Sequence, residues 1–164
     1  MTELIRPARP GDETELTAMI HELAEFERAS AECTVTESHL RDALFGDHPT
    51  VYGHIAEVDG KAAAGALWFR NFSTWDGVAG IYLEDLYVRP RCRGRGLGRA
   101  MMVRLAGLAR ERGCGRLEWS VLDWNAPSIG FYESLGAIAM TGWTVHRLTG
   151  EALARLSERT ENEA

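Results

Sequence analysis

Long apolar segments are missing from this sequence of 164 residues. No stretch approaches the roughly 20 consecutive apolar residues of a membrane-spanning helix, and the first residues lack the apolar core of a signal peptide. Hydrophobic residues nevertheless make up 45% of the chain, which is enough to build one buried core. We therefore expect no membrane partner, a cytoplasmic location and a single domain over residues 1–164.

Cysteines are also scarce. The three, Cys33, Cys92 and Cys114, are odd in number, far apart and free of any C-x-x-C spacing. This pattern excludes a disulfide framework and indicates no zinc site, so we expect no bound metal. No segment repeats at a fixed period, which excludes a solenoid.

Positive charge is in deficit, since 18 Lys and Arg residues stand against 24 Asp and Glu residues, for a net charge of -6. This balance argues against a nucleic-acid partner and favours a small cationic ligand. The exception is local, because five arginines lie close together in sequence, namely Arg89, Arg91, Arg93, Arg95 and Arg99. Such a cluster indicates a small polyanion bound at one place.

Hydrophobic periodicity predicts a mixed α+β fold, with helices packed on one twisted sheet. Helices are predicted over residues 12–26, 37–45, 97–112 and 125–135 and from residue 149 onward, with Asp12 capping the first. Strands are predicted over residues 4–6, 51–58, 61–72, 78–88, 116–122, 137–140 and 144–148. The pair Asp59-Gly60 predicts a tight hairpin turn within an antiparallel meander.

Residues 93–99 form a turn between a predicted strand and a predicted helix, with glycines at 94, 96 and 98. Backbone N–H groups at such a helix start, together with the nearby arginines, are suited to a pyrophosphate. A P-loop is excluded because Gly-Lys-Ser/Thr is missing. A dinucleotide fingerprint remains an alternative although Arg99 replaces its third glycine, and so does a plain connecting turn.

The pattern Arg93-x-x-Gly96-x-Gly98 resembles the acetyl-CoA signature of the GNAT superfamily of N-acetyltransferases. Residues 81–88 (IYLEDLYV) and 124–132 (WNAPSIGFY) are similar to its diamine branch, which acetylates spermidine, spermine or thialysine. The resemblance implies a GNAT fold with a mostly antiparallel sheet of six to seven strands flanked by four to five helices. It also implies acetyl-CoA as cofactor, a small cationic amine as substrate and a homodimer.

The same resemblance implies where the cofactor binds. The implied cofactor-binding residues are Leu86, Tyr87 and Val88 through their backbone, then Arg93, Gly94, Arg95, Gly96, Leu97, Gly98 and Arg99, and finally Asn125 and Ser128. For the last two, helix capping is the simpler interpretation.

Two residues are the candidates for proton transfer. Glu84 lies within an apolar strand, where alternation predicts that it shares a face with Tyr82, Leu86 and Val88. An ionised carboxylate there needs a use or a partner, so the alternatives are a base for the amine or an ion pair with an arginine. Tyr132 would by default be a packing residue of its helix, but the resemblance makes it the general acid for the CoA thiolate.

The resemblance places the acceptor amine near Phe26, Glu27, Glu84 and Asp85, with Trp124 and Trp143 as aromatic walls. Rings and carboxylates together suit a cation. The residues after Arg28 carry fewer acids than a long polyamine favours, so thialysine-like amino acids and short diamines stay open. Two alternative functions also stay open: acetylation of a protein N-terminus or lysine, and a catalytically silent acyl-CoA-binding module.

Overall fold

The computed structural model describes residues 3–159, and side chains from 4 to 158. The chain forms two compact units, Met1–Asn125 and Ala126–Ala164.

The first unit is built on one sheet. Its five strands lie in the order in which they occur along the chain, and they are β1 (Glu3–Pro7), β2 (Tyr52–Val58), β3 (Lys61–Ser73), β4 (Val78–Val88) and β5 (Leu117–Trp119). The first four pair antiparallel and β5 pairs parallel to β4. The expected six to seven strands are therefore corrected to five in the described residues.

Helices cover both faces of this sheet. They are α1 (Glu13–Phe26), α2 (Glu37–Phe45) and α3 (Leu97–Glu111). On one face, Leu16 of α1 and Leu40 of α2 pack with Ile55 and Leu67 of the sheet. On the other, Arg112 at the end of α3 lies over Trp68, whose side chain points opposite to that of Leu67 because the two are consecutive. This sandwich confirms the mixed α+β class.

The hairpin prediction at residues 59–60 is confirmed, but the cap of α1 is not as expected. Asp59 and Gly60 both have positive φ, which a turn of this kind requires. Asp12 makes no cap hydrogen bond to α1 and instead binds Arg6, with 2.6 Å between Nη1 and Oδ2. Arg6 also pairs with Glu57 in the neighbouring strand, which holds its guanidinium in place beside Asp12.

The second unit contains α4 (Ala126–Glu133) and α5 (Gly150–Arg159). The prediction of strands at residues 137–140 and 144–148 is wrong, since this segment carries no strand in the described chain. Gly142, with φ of 92°, interrupts the extended conformation between them, and no ladder partner holds either piece. The helix predicted from residue 149 onward is α5, and residues 160–164 lie outside the described range.

Three helices end in the same turn, which contains one residue with a left-handed backbone conformation. The N–H groups of this residue and of the next one donate hydrogen bonds to carbonyl groups in the last turns of the helix. In α3 and α4 the left-handed residue is glycine, Gly113 with φ 66° and Gly136 with φ 88°. In α1 it is Arg28, with φ 61°. A side chain in this conformation costs about 1–2 kcal/mol relative to glycine.

Candidate functional site

The turn before α3 has the geometry of an anion cradle. It follows a short 3-10 turn (Pro90–Cys92), and α3 begins at Leu97 with Gly96 at the cap position. Gly94 and Gly96 have φ of 74° and 82°, and a Cβ built on either would meet no atom within 4 Å. The backbone is thus open to a ligand at the positive end of the α3 dipole, with Gly98 in the first helical turn. A pyrophosphate fits these residues.

The arginines around this turn divide into two groups. Arg89 is already paired with Glu15, at 2.8 Å from Nη1 to Oε2, and with Glu22. Arg93 donates from Nε to the Val88 carbonyl at 2.9 Å, and its guanidinium lies 5.4 Å from the Phe26 ring centre. Neither guanidinium is therefore directed solely at the turn. Arg91 and Arg99 are exposed beside it, and Arg95 is half-buried.

A β-bulge in β4 changes the expected orientation of its carboxylates. Across from β4, Leu67 pairs with Asp85 while Trp68 pairs with Leu83, so Glu84 is the extra residue and is exposed. Strict alternation is broken at this point. The prediction that Glu84 shares a face with Tyr82 and Leu86 is wrong, because Tyr82 and Leu86 now lie on opposite faces.

The register of β4 against β3 shows that Tyr82 and Leu86 lie on opposite faces of the sheet. Tyr82 pairs with Phe69 and Leu86 pairs with Ala66. Phe69 and Ala66 are three residues apart on β3, which puts their side chains on opposite faces of the sheet.

Asp85 occupies the face beneath α1. Together with Tyr87 it lines a small pocket, whose other walls are apolar side chains of α1 and the β3 residues Gly65 and Leu67. Burial raises the pKa of Asp85 to about 6, and the negative charges of Glu84 and Glu27 add to the shift. Burial also raises the pKa of Glu27. The carboxyl of Asp85 is therefore influenced by the charges of both other acids.

Neither Glu84 nor Asp85 is held in an ion pair with any described residue. The alternative of a structural pair with an arginine is thus not observed in residues 4–158. An unpaired, partly buried carboxylate with a raised pKa is typical of a functional site.

Next to these acids lies a group that we term the aromatic mouth, formed by Phe26, Arg28 and Trp124. The two ring centres are 6.1 Å apart, and the Arg28 guanidinium lies 5.8 Å from the Trp124 ring centre. The structure thus brings Phe26 and Trp124 together, two residues that the resemblance implies for the acceptor site. Arg28 was missed, although it directly follows a predicted helix that lacks a terminal glycine.

One edge of β4 is open. Strand β5 pairs only with Ile81, Tyr82 and Leu83. From Glu84 to Val88, no strand within residues 3–159 occupies that side. The backbone of Leu86, Tyr87 and Val88, three of the predicted cofactor-binding residues, therefore has one edge available to an extended ligand.

The remaining predicted residues divide between the two units. Asn125 is buried in the first unit, where its N–H donates to the Leu122 carbonyl at 2.8 Å. Ser128 and Tyr132 are half-buried on α4, and Trp143 is 72% exposed.

A search of the described residues finds no group of three His, Cys, Asp or Glu side chains arranged to hold a metal ion. Among the helices within residues 3–159, none is long and apolar enough to cross a bilayer.

Comparison with known proteins gives consistent matches. The model of the "Acetyltransferase (GNAT) family" matches residues 16–137. Thialysine N-epsilon-acetyltransferase of Sus scrofa is 38% identical over 165 residues, covering 94% of this chain and 96% of that protein. Spermidine/spermine N(1)-acetyltransferase-like protein 1 of Homo sapiens is 35% identical over 159 residues, covering 91% of this chain and 23% of that protein.

A solved structure has the same fold. An integron cassette protein from the mobile metagenome of V. cholerae superposes with a TM-score of 0.81 at 25% identity, covering 96% of this chain and 99% of that one. The residues that the family model matches, 16–137, include the glycine turn, β4 and the aromatic mouth.

Proposed function

Because the chain belongs to the acetyltransferase (GNAT) family, we propose that it transfers an acetyl group from acetyl-CoA to the side-chain amine of a thialysine-like amino acid or a short diamine. It is an N-acetyltransferase of the diamine-acetylating branch. The observation that carries the proposal is the open edge of β4, which joins a glycine turn suited to pyrophosphate to an unpaired Asp85 suited to an ammonium group.

When bound, acetyl-CoA supplies the thioester from which the acetyl group comes. We assign its pyrophosphate to the turn at Arg93, Gly94, Arg95, Gly96, Leu97, Gly98 and Arg99. The Arg93 side chain lies on rings and its backbone N–H donates to the Pro90 carbonyl, so that residue shapes the entrance to the turn, and the exposed guanidinium of Arg99 contributes charge. The backbone of Leu86, Tyr87 and Val88 binds the pantetheine arm, and one N–H there polarises the thioester carbonyl. Asn125 and Ser128 orient the thiol end.

The acceptor amine is assigned to the carboxylates at the bulge. Asp85 holds the ammonium form, because a cation beside this carboxylate replaces the partner that it lacks and favours its ionised state. Glu84 is exposed and keeps contact with water, so it accepts the amine proton directly or through a water molecule. Glu27 adds a third acid, and Phe26, Trp124 and Trp143 provide ring faces for the cation.

Tyr132 holds the proton that the departing thiolate needs. A phenol stays protonated at neutral pH and can donate to a developing anion, which suits this role. The proposal is supported by the position of Tyr132 in the segment of residues 124–132 that resembles the branch.

We also propose that residues 1–164 act as one domain in the cytoplasm and form a homodimer. The family match supports the first, because residues 16–137 cross the division at Asn125. The three free cysteines are compatible with a reducing compartment. Exposed apolar side chains of the second unit, among them Ile138, Met140 and Val145, are what a partner subunit would cover.

The test is release of thiol from acetyl-CoA with thialysine, short diamines, spermidine and lysine-containing peptides as acceptors. Rapid release with thialysine and short diamines supports the proposal. Release with peptides alone would favour the protein-acetylating alternative. If no amine causes release although CoA binds, the chain is a silent acyl-CoA-binding module and the proposal fails.

A further inference from the structure

Arg28 stands where a helix end favours glycine. The equivalent positions after α3 and α4 are Gly113 and Gly136, and all three share the same backbone hydrogen bonds. An arginine adopts this left-handed conformation only at a cost, and such costs are concentrated at functional positions. The side chain of Arg28 is therefore the feature that needs an explanation.

That side chain is charged, exposed and unpaired. No carboxylate among residues 4–158 forms an ion pair with it, and its guanidinium rests 5.8 Å from the Trp124 ring centre. Stacking on a ring limits the directions in which the guanidinium can point, while its N–H donors stay available. Arg28 is thus prepared for an anion that residues 4–158 do not provide.

Charged groups of both signs lie in the region of Arg28. Glu27 precedes it directly and acts electrostatically on Asp85. Arg93 adds a second guanidinium to this region, at 5.4 Å from the Phe26 ring centre. The region around the aromatic mouth therefore presents acids and arginines side by side, which suits a zwitterion better than a ligand with cationic groups alone.

We propose that Arg28 binds the α-carboxylate of an amino-acid acceptor whose distal amine is held at Asp85. This inference rests on the proposed function and deepens it, because it assigns the acceptor to the amino acids and not to the simple diamines. The guanidinium offers two parallel N–H donors to the carboxylate, a geometry that lysine cannot reproduce. Trp124 keeps the guanidinium in place.

The experiment compares two acceptors that differ only in the carboxylate, namely thialysine and its decarboxylated analogue, bis(2-aminoethyl) sulfide. The proteins are the wild type, Arg28→Gly and the control Arg110→Gln, which changes an exposed arginine on α3. The dissociation constant of each acceptor is measured by calorimetry with CoA present, and kcat/KM is measured separately with acetyl-CoA.

We expect the wild type to bind thialysine about tenfold more tightly than the sulfide, and Arg28→Gly to abolish that preference. The preference of Arg110→Gln should match the wild type. Because glycine suits the left-handed turn, Arg28→Gly should melt at the same temperature as the wild type or up to about 4 °C higher. A loss of preference in a protein of undiminished stability identifies recognition rather than misfolding.

Equal binding of both acceptors by the wild type overturns the inference. So does an equal weakening of both acceptors in Arg28→Gly, which would indicate a structural role. The turnover assay reports on the proposed function separately. If neither acceptor is acetylated but thialysine binding still depends on Arg28, the inference stands and the proposed function fails.

Discussion

Replacement of Asp85 by asparagine should stabilise the unliganded protein, and by more at high pH. The pKa of this carboxyl is raised from 3.8 to about 6 by burial and by the charges of Glu84 and Glu27. A carboxyl whose pKa is higher in the folded state favours folding only while it is protonated. Its contribution to the free energy of unfolding is therefore full below pH 4 and is lost as the pH rises to 6 and above.

The magnitude follows from the two pKa values. Ionised Asp85 costs the folded state about 3 kcal/mol at pH 8 and about 1.6 kcal/mol at pH 5. These are upper values, because Asp85 is half-buried and keeps some contact with water. The amide of an asparagine at this position has no charge to bury, so Asp85→Asn should gain up to these amounts, equivalent to about 6–12 °C in Tm at pH 8.

The assay is urea unfolding of both proteins at pH 5 and pH 8, with Asp42→Asn, an exposed aspartate on α2, as the matched control. His54 also makes stability depend on pH in this range, because burial and then Arg104 and Arg112 lower its pKa from the ordinary value of 6.5 to about 4 in the folded protein. That contribution is common to both proteins and cancels in their difference. Destabilisation by Asp85→Asn, or an equal gain at both pH values, would show that burying the charge of Asp85 does not destabilise the folded state.

Three further changes test the site and the core. Tyr132→Phe should lower kcat at least tenfold with little effect on CoA binding by calorimetry, whereas Tyr52→Phe, on β2, should leave kcat unchanged; similar rates for both would remove Tyr132 from its role. Gly96→Ala should raise KM for acetyl-CoA at least tenfold, because the left-handed backbone is strained and the open approach is lost, and an unaltered KM would contradict the cradle. Gly65→Ala should lower the free energy of unfolding, measured with urea, by about 1–3 kcal/mol, since its Cβ would lie 2.9 Å from a methyl group of the core residue Leu16. Gly107→Ala on α3 has free space around its Cβ and should raise the free energy of unfolding by about 0.5–1 kcal/mol. Equal effects of these two glycine changes would show that the core is more compliant than the contacts indicate.

Local chemistry explains which parts of the fold were predictable. The turn at Asp59 and Gly60 and the glycine-rich start of α3 depend on neighbouring residues alone, and both are confirmed. The bulge at Glu84 depends on the register of β3 against β4, which hydrophobic periodicity does not encode. As a result the alternation assumed from the sequence fails at Glu84.

The strands predicted at residues 137–140 and 144–148 show a second limit of prediction from the sequence. Residues such as Ile138 and Val145 have the β-branched character of a strand, but a strand exists only when another strand provides its hydrogen bonds. Arg28 shows a third limit of prediction from the sequence. Its left-handed backbone conformation is set by the hydrogen bonds at the C-terminal end of α1, at a position where glycine is usually preferred. These features follow from tertiary context and were outside the reach of the sequence.

The open edge of β4 also affects how the protein behaves in concentrated solution. Unpaired backbone from Glu84 to Val88 can pair with the same segment of another molecule, and natural proteins usually protect such edges. A cofactor that occupies this edge acts as a removable protecting strand as well as a reactant. Protein depleted of acetyl-CoA should accordingly self-associate more readily than protein kept saturated with it, so cofactor supply would influence the solubility of this enzyme as well as its rate.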